Sequence, residues 1–388
     1  MTDFICRLLT LKEIMSNIKD HKFIIFAIEG FNTLGVVRAL GDAGIKSYLV
    51  LTDRSYLTHH SKYVIETHLA GSLEAGLNYI LSRFGNEKEK PFIIATSDDT
   101  ESCLDCHYDE LKDKFHFFNA GEQGRITRMM EKSYLPQLAE SCGLKIPKTE
   151  EVKNGELPKS LKYPVITKST TSTIHNWKSN VHICNNEQEL LDAFKLINQD
   201  RVVIQEYIEK VDEIDYEGFV INDGKDLYMP LDNRYYRTEK DGYGLYAYIE
   251  RNPYPELLEP IKRLFEKTGY NGIFELEFLI DKEGQAHFLE INFRGSAWLY
   301  AFSKCGVNLP YMFAASTLQG KIDSSHENIK KLPFSLMYVM TDFKLNVLTK
   351  KVSLWRWLRE FLTTDCFFYY NRHDMKPFFV KVRSYLHL

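Results

Sequence analysis

The stretch IFELEFLIDKEGQAHFLEINFRGSAW, residues 273–298, reads as two strands joined by a turn. Phe274, Leu276, Phe278 and Ile280 fall on one face and Glu275 and Glu277 on the other, because successive strand residues point to opposite sides. The return strand repeats the scheme, with Leu289, Ile291 and Phe293 on the apolar side and Glu290, Asn292 and Arg294 on the acidic side. Asp281 to Gln285 makes the turn. Carboxylates side by side on a sheet repel unless something cationic lies between them. A hard divalent ion such as Mg²⁺ takes carboxylate and amide oxygens and leaves other positions for water and phosphates, which Arg294 would also face. The plain alternative is the solvated face of an antiparallel hairpin, and the alternation alone leaves both readings open.

Upstream of the hairpin the pattern is that of an open parallel sheet. Phe23–Ile28 is a continuous apolar run, followed by Glu29-Gly30-Phe31-Asn32, a helical stretch Leu34–Ala43, the stop Gly44 and a second run Tyr48–Leu51. A third run, Phe92–Ala95, ends at Thr96-Ser97-Asp98-Asp99-Thr100, so strands alternate with helices. Ligands bind outside the carboxyl ends of such strands, so Asn32, Asp98 and Asp99 either contribute to a substrate pocket or only cap helices. Gly30 and Gly35 do not form a dinucleotide-binding motif. From Cys142 to Pro164 the composition turns to glycine, proline and short charged runs, a connection into a second domain. Beyond it, Pro164–Lys168 is a short strand ending on a lysine, Glu187–Leu196 a helix, and Val202–Ile208 a strand with a polar and aromatic end. Phe219–Ile221 and Leu227–Met229 flank Asn222-Asp223-Gly224-Lys225 as a hairpin.

The chain has 388 residues, of which 44% are hydrophobic, enough for two or three cores. A formal charge of -4 argues against a nucleic-acid partner. The first twenty residues mix acids into their apolar positions and lack a cationic start with a clean apolar run, so no signal peptide is expected. Seven cysteines at scattered positions do not suggest a disulfide framework, and a cytoplasmic location is the expectation. Cys103-Leu104-Asp105-Cys106-His107 has the spacing of a c-type haem attachment site, yet that chemistry requires export. From Lys331 onward ten Lys and Arg face four Asp and Glu, a net +6, which leaves -10 on the rest of the chain. Lys350–Arg359 in that segment is either a basic amphipathic helix lying on a membrane surface or a helix packed through Trp and Leu.

Lys168 at one strand end, Glu206 at what reads as a matching strand end, and the hairpin carrying Glu277, Glu290, Asn292 and Arg294 together resemble the ATP-grasp superfamily in order and spacing. The resemblance covers roughly residues 20 to 320, and Glu131-Lys132 with Gly143–Pro147 is similar to the junction between the family's domains. It implies an α/β and α+β chain: an N-terminal open parallel-sheet domain (1–120), an ATP-grasp domain (121–330, with subdomains 121–210 and 211–330) and a C-terminal aromatic and basic extension (331–388). ATP would lie between the subdomains, with Lys132, Lys168 and Lys178 on phosphate oxygens, Glu206, Tyr207 and Ile208 on the adenine, and Asp215 near the ribose. Glu277, Glu290 and Asn292 would hold Mg²⁺ or Mn²⁺, Arg294 and Lys168 would serve the transferring phosphoryl group, and Glu275 would be dispensable for the metal. Arg234 and Arg237 either clamp a substrate carboxylate or pair with Glu239 and Asp241. The loop after Lys168, Ser169–Thr173 with Trp177-Lys178 behind it, carries no glycine and is more similar to the carbamoyl-phosphate-synthase-like and D-aspartate ligase-like branches.

The implied activity is an ATP- and Mg²⁺-dependent carboxylate-amine ligase acting through an acyl phosphate on an amino acid or peptide-like metabolite. The alternatives are a non-catalytic ATP-binding regulatory or assembly subunit, and carbamoyl or phosphoryl transfer on the same scaffold. Small-molecule carboxylates and amines are the implied partners, with no nucleic acid; a homodimer and peripheral membrane contact through the C-terminal segment complete the expectations.

Overall fold

The computed structural model describes residues 18–28, 30–53, 57–130, 134–168, 180–238, 244–251 and 253–386. Lys132, Lys178 and the hydroxyl-rich loop after Lys168 lie outside the described residues, as do Glu239 and Asp241.

Three sheets organise the chain. Strands β1 (Phe23–Ala27), β2 (Ser47–Leu51), β3 (Val64–Leu69) and β4 (Phe92–Ala95) form a parallel sheet in the order β3-β2-β1-β4. Every residue of β1 is buried, as expected of a central strand covered on both faces. Helix α1 (Phe31–Asp42) follows β1, α2 (Leu73–Phe84) follows β3 and α3 (Asp98–Cys106) follows β4. The strand order reverses between β1 and β4, so the loops that leave these two strands flank the crevice where such sheets receive ligands. The Thr33 hydroxyl in the first turn of α1 and the Thr96 hydroxyl just after β4, 2.8 Å apart, join the two sides.

A second, antiparallel sheet takes the order β5-β8-β6-β7 from β5 (Thr149–Lys153), β6 (Val165–Lys168), β7 (Ile183–Cys184) and β8 (Arg201–Glu206). Helix α4 (Glu187–Phe194) covers it, capped by Asn186 and burying Leu190, Ala193 and Phe194 at helical spacing. The third sheet has seven strands: β9 (Lys210–Ile221), β10 (Asp226–Thr238), β11 (Gly244–Glu250), β12 (Gly272–Asp281), β13 (Ala286–Asn292), β14 (Phe334–Met337) and β15 (Cys366–Phe367), ordered β13-β12-β9-β10-β11-β14-β15. The expected hairpin at 219–229 is the tip of β9 and β10, and Asn222, Asp223 and Gly224 take left-handed backbone at its turn.

Helix α5 (Leu258–Thr268) shows why one face of this sheet is core. Ile261, Leu264, Phe265 and Thr268 are buried at i, i+3, i+4 and i+7, and Gly269 ends the helix at φ 66°. Phe265 meets Phe274 of β12 at a ring separation of 4.2 Å. Phe274, Leu276, Phe278 and Ile280 are all buried, worth about 1.5–3 kcal/mol each relative to exposure.

One apolar assignment changes. A β-bulge shifts the register after the Glu277–Glu290 pair, so that Phe288, not Leu289, lies opposite Phe278. The extra residue turns Phe288 into the core and leaves Leu289 half-buried.

The segment expected as a separate extension is partly built into this sheet. β14 pairs with β11, and β15 adds to β14, so the expected boundary at residue 330 precedes a strand of the sheet itself. Asp374 also ties the segment back to the N-terminal sheet. It pairs with the fully buried Arg38 of α1 at 3.0 Å and accepts from the Ser61 hydroxyl and the Lys62 amide. The basic stretch forms α6 (Leu354–Thr363), with Trp357 buried against Phe343 and Phe361, so the packed-helix reading holds for its inner side. No helix among the described residues is long and apolar enough to cross a membrane. The cysteines among the described residues are free, and burial pushes the Cys103 thiol up to about 12.

Candidate active site

Alternation along four adjacent strands gathers polar side chains on the face of the seven-stranded sheet opposite the core. In register, Glu277 lies between Asp215 of β9 and Glu290 of β13, Glu275 between Glu217 and Asn292, and Asn233 of β10 beside Asp215. Glu213 continues the row. Carboxylate oxygens of Glu213, Asp215 and Glu277 all lie within 4.8 Å of one another.

Such crowding has an electrostatic consequence. Burial, then the neighbouring Glu290, Glu275 and Asp215, push the Glu277 carboxyl well above the ordinary range. Burial and Glu275 do the same to Asp215, and raise Glu217 to about 8. Glu275 rises to about 7 through burial even though Arg294 opposes the shift. Oδ1 of Asp215 and Oε2 of Glu217 are buried without a hydrogen-bond partner. These acids cannot all be ionised unless a cation joins them. The donor set of hard oxygens, with buried carboxylate atoms unpaired, fits a divalent magnesium-type ion.

The polar partners present are few and directional. Asn292 Nδ2 donates to Glu275 at 2.9 Å and to Glu277 at 2.8 Å, and its Oδ1 accepts from Arg294 Nη2 at 3.2 Å. Arg294 Nε donates to Asp98 at 2.8 Å, and Nη1 lies 3.7 Å from Glu275. Asp98 opens α3 at the carboxyl end of β4, so the crevice of the parallel sheet ends on the arginine of the hairpin. The other crevice loop touches the same turn, since Asn32 Nδ2 donates to the Gly295 carbonyl at 3.0 Å. The Ser296 amide donates to Glu217 at 2.8 Å. Tyr235 donates to Asp215 and accepts from the Trp298 indole at 3.0 Å.

Of the residues singled out in the sequence, Glu277, Glu290, Asn292 and Arg294 do come together. Glu275 belongs with them: it accepts from Asn292 and faces Arg294, so it positions both. Asp215, expected near a ribose, is a fully buried mid-strand residue of the acidic face; Glu213, two residues earlier, is the half-buried carboxylate on that face. Lys168 and Glu206 are not at matching strand ends. β6 and β8 run antiparallel, with Val165 opposite Glu206 and Lys168 opposite Val203, so the two side chains sit at opposite ends of the small sheet and on opposite faces. Glu206 and Tyr207 spend their amides on the Lys148 and Pro164 carbonyls, and Tyr207–Glu209 links the small sheet to the large one.

The two candidate substrate arginines face other carboxylates. Arg234 pairs with Asp212 and, at 3.4 Å, with Glu250. Arg237 is turned away by a second bulge between Tyr235 and Thr238, which sets it opposite Tyr246 rather than on the side of Tyr235. Its guanidinium lies 4.7 Å from the Tyr246 ring centroid and donates to Asp342 (2.8 and 2.6 Å) and Glu360 (2.5 Å) of the C-terminal segment. With those donors engaged, Arg237 is a structural cation.

Asp98 and Asn32, candidates from the strand ends, do reach the site; Glu213, Glu217 and Tyr235 complete it and were not assigned from the sequence. Glu213-Ile214-Asp215-Tyr216-Glu217 alternates with the same period as the hairpin, and that signal could have placed β9 beside it.

Residues 236–339, which include the hairpin, match the family described as ATP-grasp in the biosynthetic pathway with Ter operon. The 2-oxoglutarate carboxylase small subunit of Hydrogenobacter thermophilus is 22% identical over 307 residues, 70% of this chain and 61% of that protein; the chain thus spans about three fifths of the length of that curated relative. Among solved structures, an L-amino acid ligase from Bacillus licheniformis superposes with a TM-score of 0.62 at 14% identity, covering 80% of this chain and 78% of the other. An N5-carboxyaminoimidazole synthetase from Staphylococcus aureus, complexed with ADP, gives 0.59 at 18% identity over 77% of this chain and 79% of its own. At such identities the likeness shows the fold alone, and the family model matches about a quarter of the chain, the part that holds the hairpin.

Proposed function

We propose that this protein is an ATP- and Mg²⁺-dependent ligase that joins a carboxylate to an amine through an acyl phosphate, releasing ADP and phosphate. The observation that carries the reading is the acidic face with Asn292 and Arg294 bonded into it, at the mouth of the parallel-sheet crevice. The superfamily and the ligases among the structural neighbours support it. In this reading Glu277, Glu290 and Asn292 hold magnesium, with Asp215 and Glu213 beside Glu277 as further carboxylates for a second ion. Magnesium bound there would draw charge off the β- and γ-phosphates.

The remaining work falls to side chains. Lys168 and Lys132 neutralise phosphate oxygens as point charges, and Lys178 joins them from the loop after Lys168. Main-chain groups of Glu206, Tyr207 and Ile208 meet the adenine. Arg294 keeps a fixed geometry between Asp98, Asn292 and Glu275 and offers its guanidinium edge to the transferring phosphoryl group, so little reorganisation is needed when charge develops. A substrate carboxylate oxygen attacks the γ-phosphorus as the bond to ADP breaks. The amine lone pair then attacks the acyl carbon, the C–O bond to phosphate breaks, and a proton leaves nitrogen as the amide forms. No protein nucleophile is required.

The test is ADP and phosphate release from Mg²⁺-ATP across paired carboxylates and amines, amino acids and short peptides included, with hydroxylamine added to trap the acyl phosphate as a hydroxamate. The expected result is ADP formation that needs the carboxylate, with hydroxamate replacing amide. Release of AMP and pyrophosphate, or no carboxylate-dependent release at all, would overturn the ligase assignment.

A further inference from the structure

The C-terminal segment presents apolar surface that nothing in the described chain covers. Of fifteen exposed large apolar side chains among the described residues, eight lie between Met340 and Tyr385, although the segment from residue 331 holds well under a fifth of the sequence. Helix α6 supplies three of the eight, Leu354, Trp355 and Leu362. Trp357 and Phe361 point into the protein, while Leu354, Leu358 and Leu362, spaced at four residues, continue the apolar arc outward with Trp355 beside them. Trp355 is 82% exposed and Leu362 79%. The apolar arc is therefore wider than the strip the fold buries.

Two further observations say what would cover it. Arg359 is exposed on α6, and Lys350 and Lys351 are exposed just before its first turn, in a segment of net +6 attached to a chain that is otherwise -10. A cavity of about 470 Å³ also opens here, walled by Met337, Val339, Phe361, Leu362, Phe378 and Val382. Leu362 is both a wall of this cavity and exposed, so the cavity adjoins the apolar arc, on the side of α6 that carries Trp355 about two turns away. Lys381 stands in the wall, its ammonium 5.2 and 4.9 Å from the Tyr369 and Tyr385 ring centroids, and no carboxylate pairs with it among the described residues.

We infer that this face docks on an anionic lipid bilayer: α6 lies in the headgroup region with Leu354, Trp355 and Leu362 entering the acyl layer, the cavity receives one hydrocarbon tail, and Arg359, Lys350, Lys351 and Lys381 meet lipid phosphates. An exposed tryptophan at the edge of a leucine stripe with cations alongside is the composition that interfacial helices use. An acidic partner protein would answer the charge but leaves the tail-sized apolar cavity unexplained. The rest of the chain, being acidic, would be repelled from the surface and so held with the opposite side toward water.

The experiment is co-sedimentation of the full chain with phosphatidylcholine vesicles, with and without phosphatidylglycerol. Binding is expected only with phosphatidylglycerol and should weaken as salt is added. The double variant Trp355→Glu, Leu362→Glu should lose binding by about tenfold or more, and Lys350→Glu, Lys351→Glu by about fivefold per positive charge removed, with far-ultraviolet circular dichroism and the melting temperature unchanged. Brominated lipid should quench the native protein's fluorescence and quench Trp355→Phe less. The inference is overturned by absence of sedimentation with either vesicle, by binding that ignores phosphatidylglycerol, or by a dimer in light scattering that the double variant dissolves, which would give the face to a second copy.

Discussion

Two clusters of charge flank strand β10, one on each face of the seven-stranded sheet. On one face Glu213, Asp215, Glu217, Glu275, Glu277 and Glu290 crowd together with the Arg294 guanidinium among them and Lys210 paired to Glu213 at their edge, and buried carboxylate oxygens of Asp215 and Glu217 have no partner. On the other, Arg237 is matched by Asp342 and Glu360, and the Trp357 indole adds a 2.8 Å bond to Asp342. Arg38 and Asp374, farther along the C-terminal segment, are matched in the same way. The chemical groups are alike and the outcome is opposite. Paired buried charges specify which elements dock, whereas an unmatched set of one sign stores repulsion that only an incoming cation relieves.

The sharpest way to break this contrast is to unmatch a structural pair. Asp374→Ala leaves Arg38 buried and unpaired, and chemical denaturation should find the protein about 3–5 kcal/mol less stable; an unchanged midpoint would mean that the segment is not held by this pair. The converse change, Glu277→Gln, removes repulsion. ADP release under saturating substrates should fall by on the order of 100-fold or more, while the melting temperature without magnesium stays level or rises. A large loss of stability in Glu277→Gln would contradict the division between the two clusters.

Protons probe the same contrast. Glu217, Glu275 and Asp232 are held near 8, 7 and 7 in the folded protein, chiefly by burial, all above the values of an unfolded chain. The native state then binds more protons than the unfolded one, so stability falls as pH rises. His116, held near 4 by burial, acts in the opposite sense but completes its effect below about pH 6.5. Between pH 6.5 and 8 the melting temperature of the magnesium-free protein should therefore decline, and added Mg²⁺ should raise it more at pH 8 than at pH 6.5. A stabilisation by Mg²⁺ that is the same at both values would count against an ion among these acids. The smallest effect is expected at Glu275→Gln. Since Glu275 holds Asn292 and Arg294 in place, kcat should drop by about tenfold while the Mg²⁺ concentration for half-activity stays within a factor of about two.

Much of this was written into local patterns. The hairpin's two faces, the parallel sheet from Phe23 to Ala95 and the tip at Asn222–Lys225 all follow from period, continuous apolar runs and turn chemistry. Three things did not. The bulges at Leu289 and Tyr236 depend on how a strand meets its neighbour, which a period of two cannot reveal. Arg38 and Asp374 are more than three hundred residues apart, and each alone reads as an ordinary surface charge. The partnership of β9 with β12 needs a register, and nothing local to Asp215 says that Glu277 lies opposite it. Alternation states that a side chain faces one way, and only the fold states what it faces.

The bulge at Tyr236 bears on how this sheet can change over evolutionary time. Deleting that one residue would do more than shorten a loop: Arg237 would swing to the side of Tyr235, into the wall of acids, and would itself become their counterion. Asp342 and Glu360 would lose their cation in the same event. One deletion would thus disarm the cation site and loosen the C-terminal segment together, so insertions and deletions at this point should be tolerated only in lineages that have already replaced the acids on one face or the other.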